Sequence, residues 1–544
     1  MIKTPNNSET TTNSAPWICQ GTSANSHPEI ENWGDSCMFP GCNNNRENLT
    51  ETKIISPLRK DRKLKPILCI ALAVIASLGS GIYLWQKFKP CPEGQAKLNG
   101  TCSVVIKNPK PPQSSKNNSI PPASFNPEWI GQSDRVLFKG NSNRYRDDGI
   151  KAFKQGNYAV AIQHLEKAVF SDRKDPEVQI YLNNAQAAFQ GSSLKIAVVV
   201  PIDNVESAAK EILRGIADAQ TKFNQSGGAG GRLLEVIIAN DGDRPRHAKS
   251  VARHLAQMPD VLGIIGHNSS GSSQAGLTEY ESVGLVTISP SSTSTALKSN
   301  YFYRTIPSDA IAADKLAEYS SQNQINRVAI FYNPRSSYSK SLQQAFESTL
   351  QAKGGTVLGS IDITDSNFDP RQQIQALQGQ VDAIALFPDT LNSSTAIGIA
   401  RANQNLSQVK LPVLAGDVLY GSQTLYQGGS AVNDLVIAVP WFATNQPYAK
   451  QANQRWMGTV NWRTAASYDA TQALLKAIAA SPNPTRTSVE QNLRLINLLP
   501  NETSGESLSF TNGERAGDGV LVQVVPGALG KPREMTNGFK LIEP

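Results

Sequence analysis

Cysteine is scarce in this chain and missing from most of it. Of 544 residues only six are cysteines, and the last is Cys102. The long stretch after it therefore has no disulfide staple, thiolate metal site or thiol nucleophile. Charge is sparse too, 18 % of residues against 39 % hydrophobic, the shares of a chain that folds mostly in water. The net charge of +7 gathers around one apolar run instead of one domain face, which argues against a nucleic-acid partner. The usual catalytic signatures are lacking as well. His247, His254 and His267 come without an H-E-x-x-H motif or clustered carboxylates. No Gly-x-Ser-x-Gly elbow or Walker loop occurs. Ser207–Lys210 and Ser337–Lys340 have the Ser-x-x-Lys spacing of penicillin-recognising hydrolases, but the companion Ser-Asp-Asn and Lys-Thr-Gly motifs are absent. Catalysis is thus the weaker expectation, and no cofactor is expected.

What is present divides into segments. Residues 1–58 are rich in Asn, Ser and Thr, a composition that buries little and predicts a mostly disordered tail. Cys19, His27, Cys37 and Cys42 lie in it. A structural Cys₃His zinc site, resembling a degenerate zinc ribbon, and free reduced thiols both fit this spacing. Residues 66–85 carry no charge and match the ~20 residues of a spanning helix. Arg59, Lys60, Arg62, Lys63 and Lys65 precede the run, and Lys87 and Lys89 follow it. The heavier positive flank predicts a single-pass protein of the cytoplasmic membrane, with the N-terminus cytoplasmic and the rest periplasmic or extracellular. A signal peptide would begin earlier and be shorter.

Beyond the run, Cys91 and Cys102 bracket a short loop, and an oxidising compartment favours a disulfide between them. The 90–127 segment continues with Pro109, Pro111, Pro112, Pro121, Pro122 and Pro127, a semi-stiff linker. Residues 142–190 show helical periodicity. With Gly149, Ala161 and Ala168 at close-packing positions, they resemble a single tetratricopeptide repeat, read as a packed spacer because such repeats normally stack in arrays.

From Leu194 to the C-terminus, β-branched apolar runs alternate with amphipathic stretches. The runs are Ile196–Val200, Leu234–Ala239, Val261–Ile265, Leu285–Ile288, Val328–Tyr332, Ala383–Phe387, Val413–Ala415 and Leu435–Val439. Such alternation predicts parallel sheets covered by helices, and residues 194–544 are enough for two lobes with a cleft between them.

The order of the motifs adds a resemblance. Leu213–Gln220, the Gly-rich Asn224–Arg232, Asn240-Asp241, Ile264–Gly271, Ile288–Thr293, Phe302–Asp309 and Ser467–Ala470 occur in succession. Together they resemble the type I periplasmic binding proteins, in particular the leucine/isoleucine/valine-binding group that serves branched-chain amino-acid ABC importers. The resemblance implies a two-lobed α/β fold that closes on an amino acid or similar small polar ligand, with an ABC permease as partner. It places Ser270, Ser292 and Thr293 on the family's carboxylate-binding positions, with Ser269 beside them, Tyr338 on an aromatic position over the ligand, and Asp417 on the acid that meets the ammonium. Asp389 falls nearby, without the family's usual aromatic. A capping role is the plain alternative for the serines. A transmembrane sensor reporting to the cytoplasmic tail fits the same layout as an importer's carrier.

Overall fold

The computed structural model describes residues 17–19, 30–32, 95–98, 101–104, 123–140, 142–406, 409–527 and 537–543. The expected span at 66–85, the Cys19, His27, Cys37 and Cys42 site, the Cys91–Cys102 bridge and most of the Pro-rich linker lie outside them, apart from the backbone of Cys19 and Cys102. Among the described residues no helix is long and apolar enough to cross a membrane. The chain divides into two units, residues 1–90 and 91–544. In the first, Trp17–Cys19 pairs antiparallel with Ile30–Asn32. The second opens with a small hairpin, Gln95–Leu98 against Thr101–Val104.

Each of the eight apolar runs after Leu194 lies on or beside a strand. They feed two sheets. The first has nine strands, in the spatial order Asn497–Leu498, Leu508–Thr511, Glu514–Arg515, Phe302–Arg304, Thr287–Ser289, Val261–Ile265, Ser193–Val200, Leu233–Asn240 and Ile130–Gly131. The second has seven, in the order Thr356–Asp362, Arg327–Tyr332, Ala383–Phe387, Val413–Ala415, Val436–Val439, Val520–Pro526 and Asn537–Leu541. Both sheets have parallel centres, such as Ser193–Val200 between Leu233–Asn240 and Val261–Ile265. The central strands are buried along nearly their whole length, as expected where helices cover both faces. The chain passes between the sheets at about 305–308, 440–446 and 516–519, so three strands of backbone join the lobes.

Close helix packing sets the rear of the first lobe. Glu206–Gln225 lies against Trp462–Ala479, and the Ser467 hydroxyl donates to Ile212 O at 2.9 Å across the contact. At Gly215 a Cβ would overlap Thr464 O and the Ser467 hydroxyl, so this approach requires glycine.

The first lobe begins earlier than Leu194. The residues expected to be spacer are built into it. Ile130–Gly131 adds an antiparallel edge strand to Leu233–Asn240. The helices Arg144–Lys154 and Tyr158–Ser171 form a hairpin, and a third helix, Pro176–Gln190, leaves it to pack on the lobe. Asn184 supplies the junction. Its Oδ1 accepts from Val236 N and its Nδ2 donates to Val236 O, both at 2.8 Å, so the side-chain amide pairs with the sheet edge as a strand would. Asn183 adds Thr221 Oγ1 at 2.9 Å. Sequence periodicity described these helices but not their docking, which combines these buried asparagines with Val178, Ile180, Tyr181 and Ala185 packed in the core of the lobe.

Glu177 on the third helix gives a pH signature. It accepts from Leu137 N at 2.7 Å and the Tyr181 hydroxyl at 3.2 Å, and burial pushes its carboxyl from 4.5 up to about 7. Between these values the folded protein holds a proton that the unfolded chain has released. Stability therefore falls as pH rises through this window, by up to about 1.4 kcal/mol per pH unit, and levels off above it. Burial of Asp309, to about 7, and of Asp218 and Asp243, to about 6, acts with the same sign. Glu177→Gln is expected to flatten the decline of Tm between pH 5 and pH 7. Equal slopes in variant and wild type would remove Glu177 from this account.

Candidate ligand-binding cleft

A cavity of about 290 Å³ opens between the lobes. The first lobe contributes the loop and helix after Val261–Ile265, and the second contributes the starts of Ser337–Ala352, Thr390–Asn392 and Asp417–Leu419. All follow C-terminal ends of parallel strands, where α/β sheets place their ligands.

On the first lobe, Ser269 caps the helix Ser270–Glu281. Its hydroxyl accepts the Ser272 amide at 3.3 Å and its carbonyl accepts the Ser273 amide at 2.9 Å. Of the four first-turn amides that a helix leaves unpaired, those of Ser270 and Gly271 remain for a ligand. The positive end of the helix dipole favours an anion there. Asp243 lies behind this turn, accepting from Ser269 N at 3.2 Å and Asn268 Nδ2 at 3.3 Å. Burial, then repulsion from Asp241, raises its carboxyl to about 6. The Ser270 hydroxyl accepts from Ser294 N at 3.1 Å, tying the loop after Thr287–Ser289 to the helix start.

On the second lobe, the Tyr338 hydroxyl donates to Asp417 Oδ1 at 2.7 Å, and both residues are buried. A Cβ at Gly416 would overlap that hydroxyl, so the pair depends on glycine at this position. Burial raises the Asp417 carboxyl, and the charge of Arg463 and the hydrogen bond from Tyr338 oppose the rise. Asp389 caps the turn Thr390–Asn392, taking Asn392 N at 3.0 Å and Asn392 Nδ2 at 2.8 Å, and also accepts from Asn333 Nδ2.

Of the residues expected from the sequence, Ser269, Ser270, Tyr338, Asp389 and Asp417 line this one cavity. Thr293 lines a smaller one, of about 20 Å³, that shares Tyr338 and Asp417 and adds Asp309. Ser292 lines neither. Its hydroxyl meets Ser273 Oγ at 2.8 Å and spans towards the carbonyls of His267 and Asn268, so it braces the loops. His267 is fully buried between Asp241 Oδ2 at 2.6 Å and the Tyr280 hydroxyl at 3.1 Å, away from the cleft. Asp469 holds Ser504 and Arg515, and Tyr468 stacks on Tyr448, so both belong to the frame.

The sequence reading passed over Asp243, Asn268, Asn333, Arg335 and Arg463, which also line the cavity. Two of them carried a signal. Asp243 closes an Asp-Gly-Asp turn directly after a strand, and Arg463 is the lone charge in the helical run Trp462–Tyr468.

A family model described as periplasmic binding protein matches residues 193–527, well over half of the chain. The chain belongs to the periplasmic binding protein family. Relatives of this binding protein include a leucine-, isoleucine-, valine-, threonine- and alanine-binding protein of Pseudomonas aeruginosa, 24 % identical over 31 % of this chain. The match spans 46 % of that relative, about half its length. Leu/Ile/Val-binding protein homolog 3 of Brucella melitensis is 21 % identical over 50 % of this chain and 73 % of its own. A leucine-binding protein of Thermotoga maritima superposes with a TM-score of 0.55 at 21 % identity, over 64 % of this chain and 99 % of that one. A solute-binding protein of Rhodopseudomonas palustris in complex with benzoate superposes with a TM-score of 0.54 at 16 % identity, over 65 % and 98 %. These likenesses share a fold among proteins whose ligands differ.

Proposed function

We propose that this binding protein is an extracytoplasmic solute receptor that closes its lobes on an amino acid or similar small polar molecule for ABC-type uptake. One observation carries the reading: the first turn of Ser270–Glu281 on one lobe and Asp417 on the other line the same cavity. A helix N-terminus suits a carboxylate and a buried carboxylate suits an ammonium, so an amino acid bridges the lobes. A bridging ligand favours the closed state by the contacts that it makes only there. The volume, about 290 Å³, lies at the small end of ligand pockets. The names of the Pseudomonas and Brucella relatives support the same class of solute. The proposal includes a membrane tether at residues 66–85. Survival of an N-terminal tag on the mature protein would support it, and loss of the tag during export would refute it.

The test of binding is isothermal titration of the full chain with amino acids, amides and short peptides. Saturable binding of at least one amino acid is expected. Silence across the panel would overturn the reading.

A further inference from the structure

Arg463 is the least explained charge in the cleft. It stands in the first turn of Trp462–Ala479 and lines the cavity, yet is only 8 % exposed. Its guanidinium lies over the Trp462 ring, 4.1 Å from the centroid. Nε has no hydrogen-bond partner, and among the described residues no carboxylate reaches ion-pair distance of the guanidinium. Burial pulls its pKa down, and the fields of Asp417, Tyr338, Glu211 and Asp243 push back, so it stays charged. An unpaired buried cation is unfavourable until an anion meets it.

The remaining walls offer few aliphatic side chains. Pro245, Leu391 and Val418 supply the cavity's aliphatic surface, and Leu391 is largely exposed. Most of the lining residues carry a hydroxyl, amide, carboxyl or guanidinium group.

We propose that the ligand is an acidic amino acid whose side-chain carboxylate is read by Arg463. This rests on the amino-acid reading above. The α-carboxylate is taken by the Ser270 and Gly271 amides and the ammonium by Asp417, which leaves Arg463 for a second anionic group. A planar guanidinium stacked on an indole is well suited to a bidentate carboxylate.

Titration of the full chain with L-glutamate, L-aspartate, L-glutamine and L-leucine tests this. The wild type should bind an acid about tenfold to a hundredfold more tightly than the neutral amino acids, the span of one charge-assisted contact. Arg463→Met should erase that preference by weakening the acid more than glutamine. Equal binding of glutamine or leucine by the wild type would overturn the inference while the receptor reading stands. So would an acid preference that survives in Arg463→Met. Absence of binding by all four, with another amino acid bound, would also overturn only the inference. Absence of binding by every amino acid would overturn both. The comparison of glutamate with glutamine needs only the wild type, so it holds even if the variant does not fold.

Discussion

Arg304→Met is expected to destabilise the first lobe by about 3–5 kcal/mol, the usual penalty for breaking a buried charged network. Arg304 is fully buried. Nη1 donates to Ser292 O at 3.1 Å, and Nη2 donates to Ser294 O at 3.0 Å and Leu297 O at 3.2 Å. Nε pairs with Glu514 at 3.2 Å. Methionine fills similar space but leaves three buried carbonyls without donors, each worth about 1–3 kcal/mol. The damage falls on the loop that presents Thr293, whose carbonyl accepts Asp309 N at 2.9 Å beside the first crossing between lobes. Urea unfolding followed by tryptophan fluorescence reads the effect. Arg304→Lys should lie between wild type and Met, since it keeps the charge but not the planar fork. An unchanged midpoint in the Met variant would show that the loop holds its shape without this residue.

The second large effect is on binding. Asp417→Asn should weaken an amino-acid ligand by about 2–5 kcal/mol, roughly thirtyfold to several-thousandfold. The amide oxygen can still accept from the Tyr338 hydroxyl, so local structure is preserved. Burial already disfavours the Asp417 charge, so thermal stability without ligand should hold or rise above neutral pH. That split is the useful part. A residue that only braced the fold would lose stability and affinity together. Affinity unchanged in the variant would remove Asp417 from the site and favour a lobe that serves protein contacts alone.

The strands that could be read from the sequence are those buried on both faces. Val261–Ile265 and Ala383–Phe387 are apolar throughout and stand out as runs. Thr356–Asp362 does not, because it forms an edge with exposed and buried positions mixed. Phe302–Arg304 is three residues long and contains the buried arginine. The strands from Leu508 onward are joined by antiparallel pairings, Leu508–Thr511 with Glu514–Arg515 and Val520–Pro526 with both Val436–Val439 and Asn537–Leu541, and break the alternation that parallel crossovers impose. The site divides in the same way. Loops at strand ends could be placed from the motif order, but which hydroxyl in Ser289–Ser294 faces the cavity is decided by neighbouring loops. Thus Ser292 turns towards Ser273 while Ser291 borders the cleft. Arg463 is five residues before Tyr468, and only the packing of its helix against the cleft brings its charge there.

The edge strand Ile130–Gly131 has a mechanical meaning. Just before it, Ala123 N donates to Arg246 O at 3.1 Å, Phe125 stacks on His254 and Trp129 stacks on His247. All these partners belong to the first lobe, and the second lobe continues from it only through the three crossings. A pull transmitted along the chain from upstream of residue 123 therefore loads one half of the hinge alone. Under the proposed tether the first lobe would be the stator and the second the rotor. The proposed closure would then swing Asp417 and Tyr338 towards a stationary helix turn, and the face that changes position would be the one carried by the second lobe.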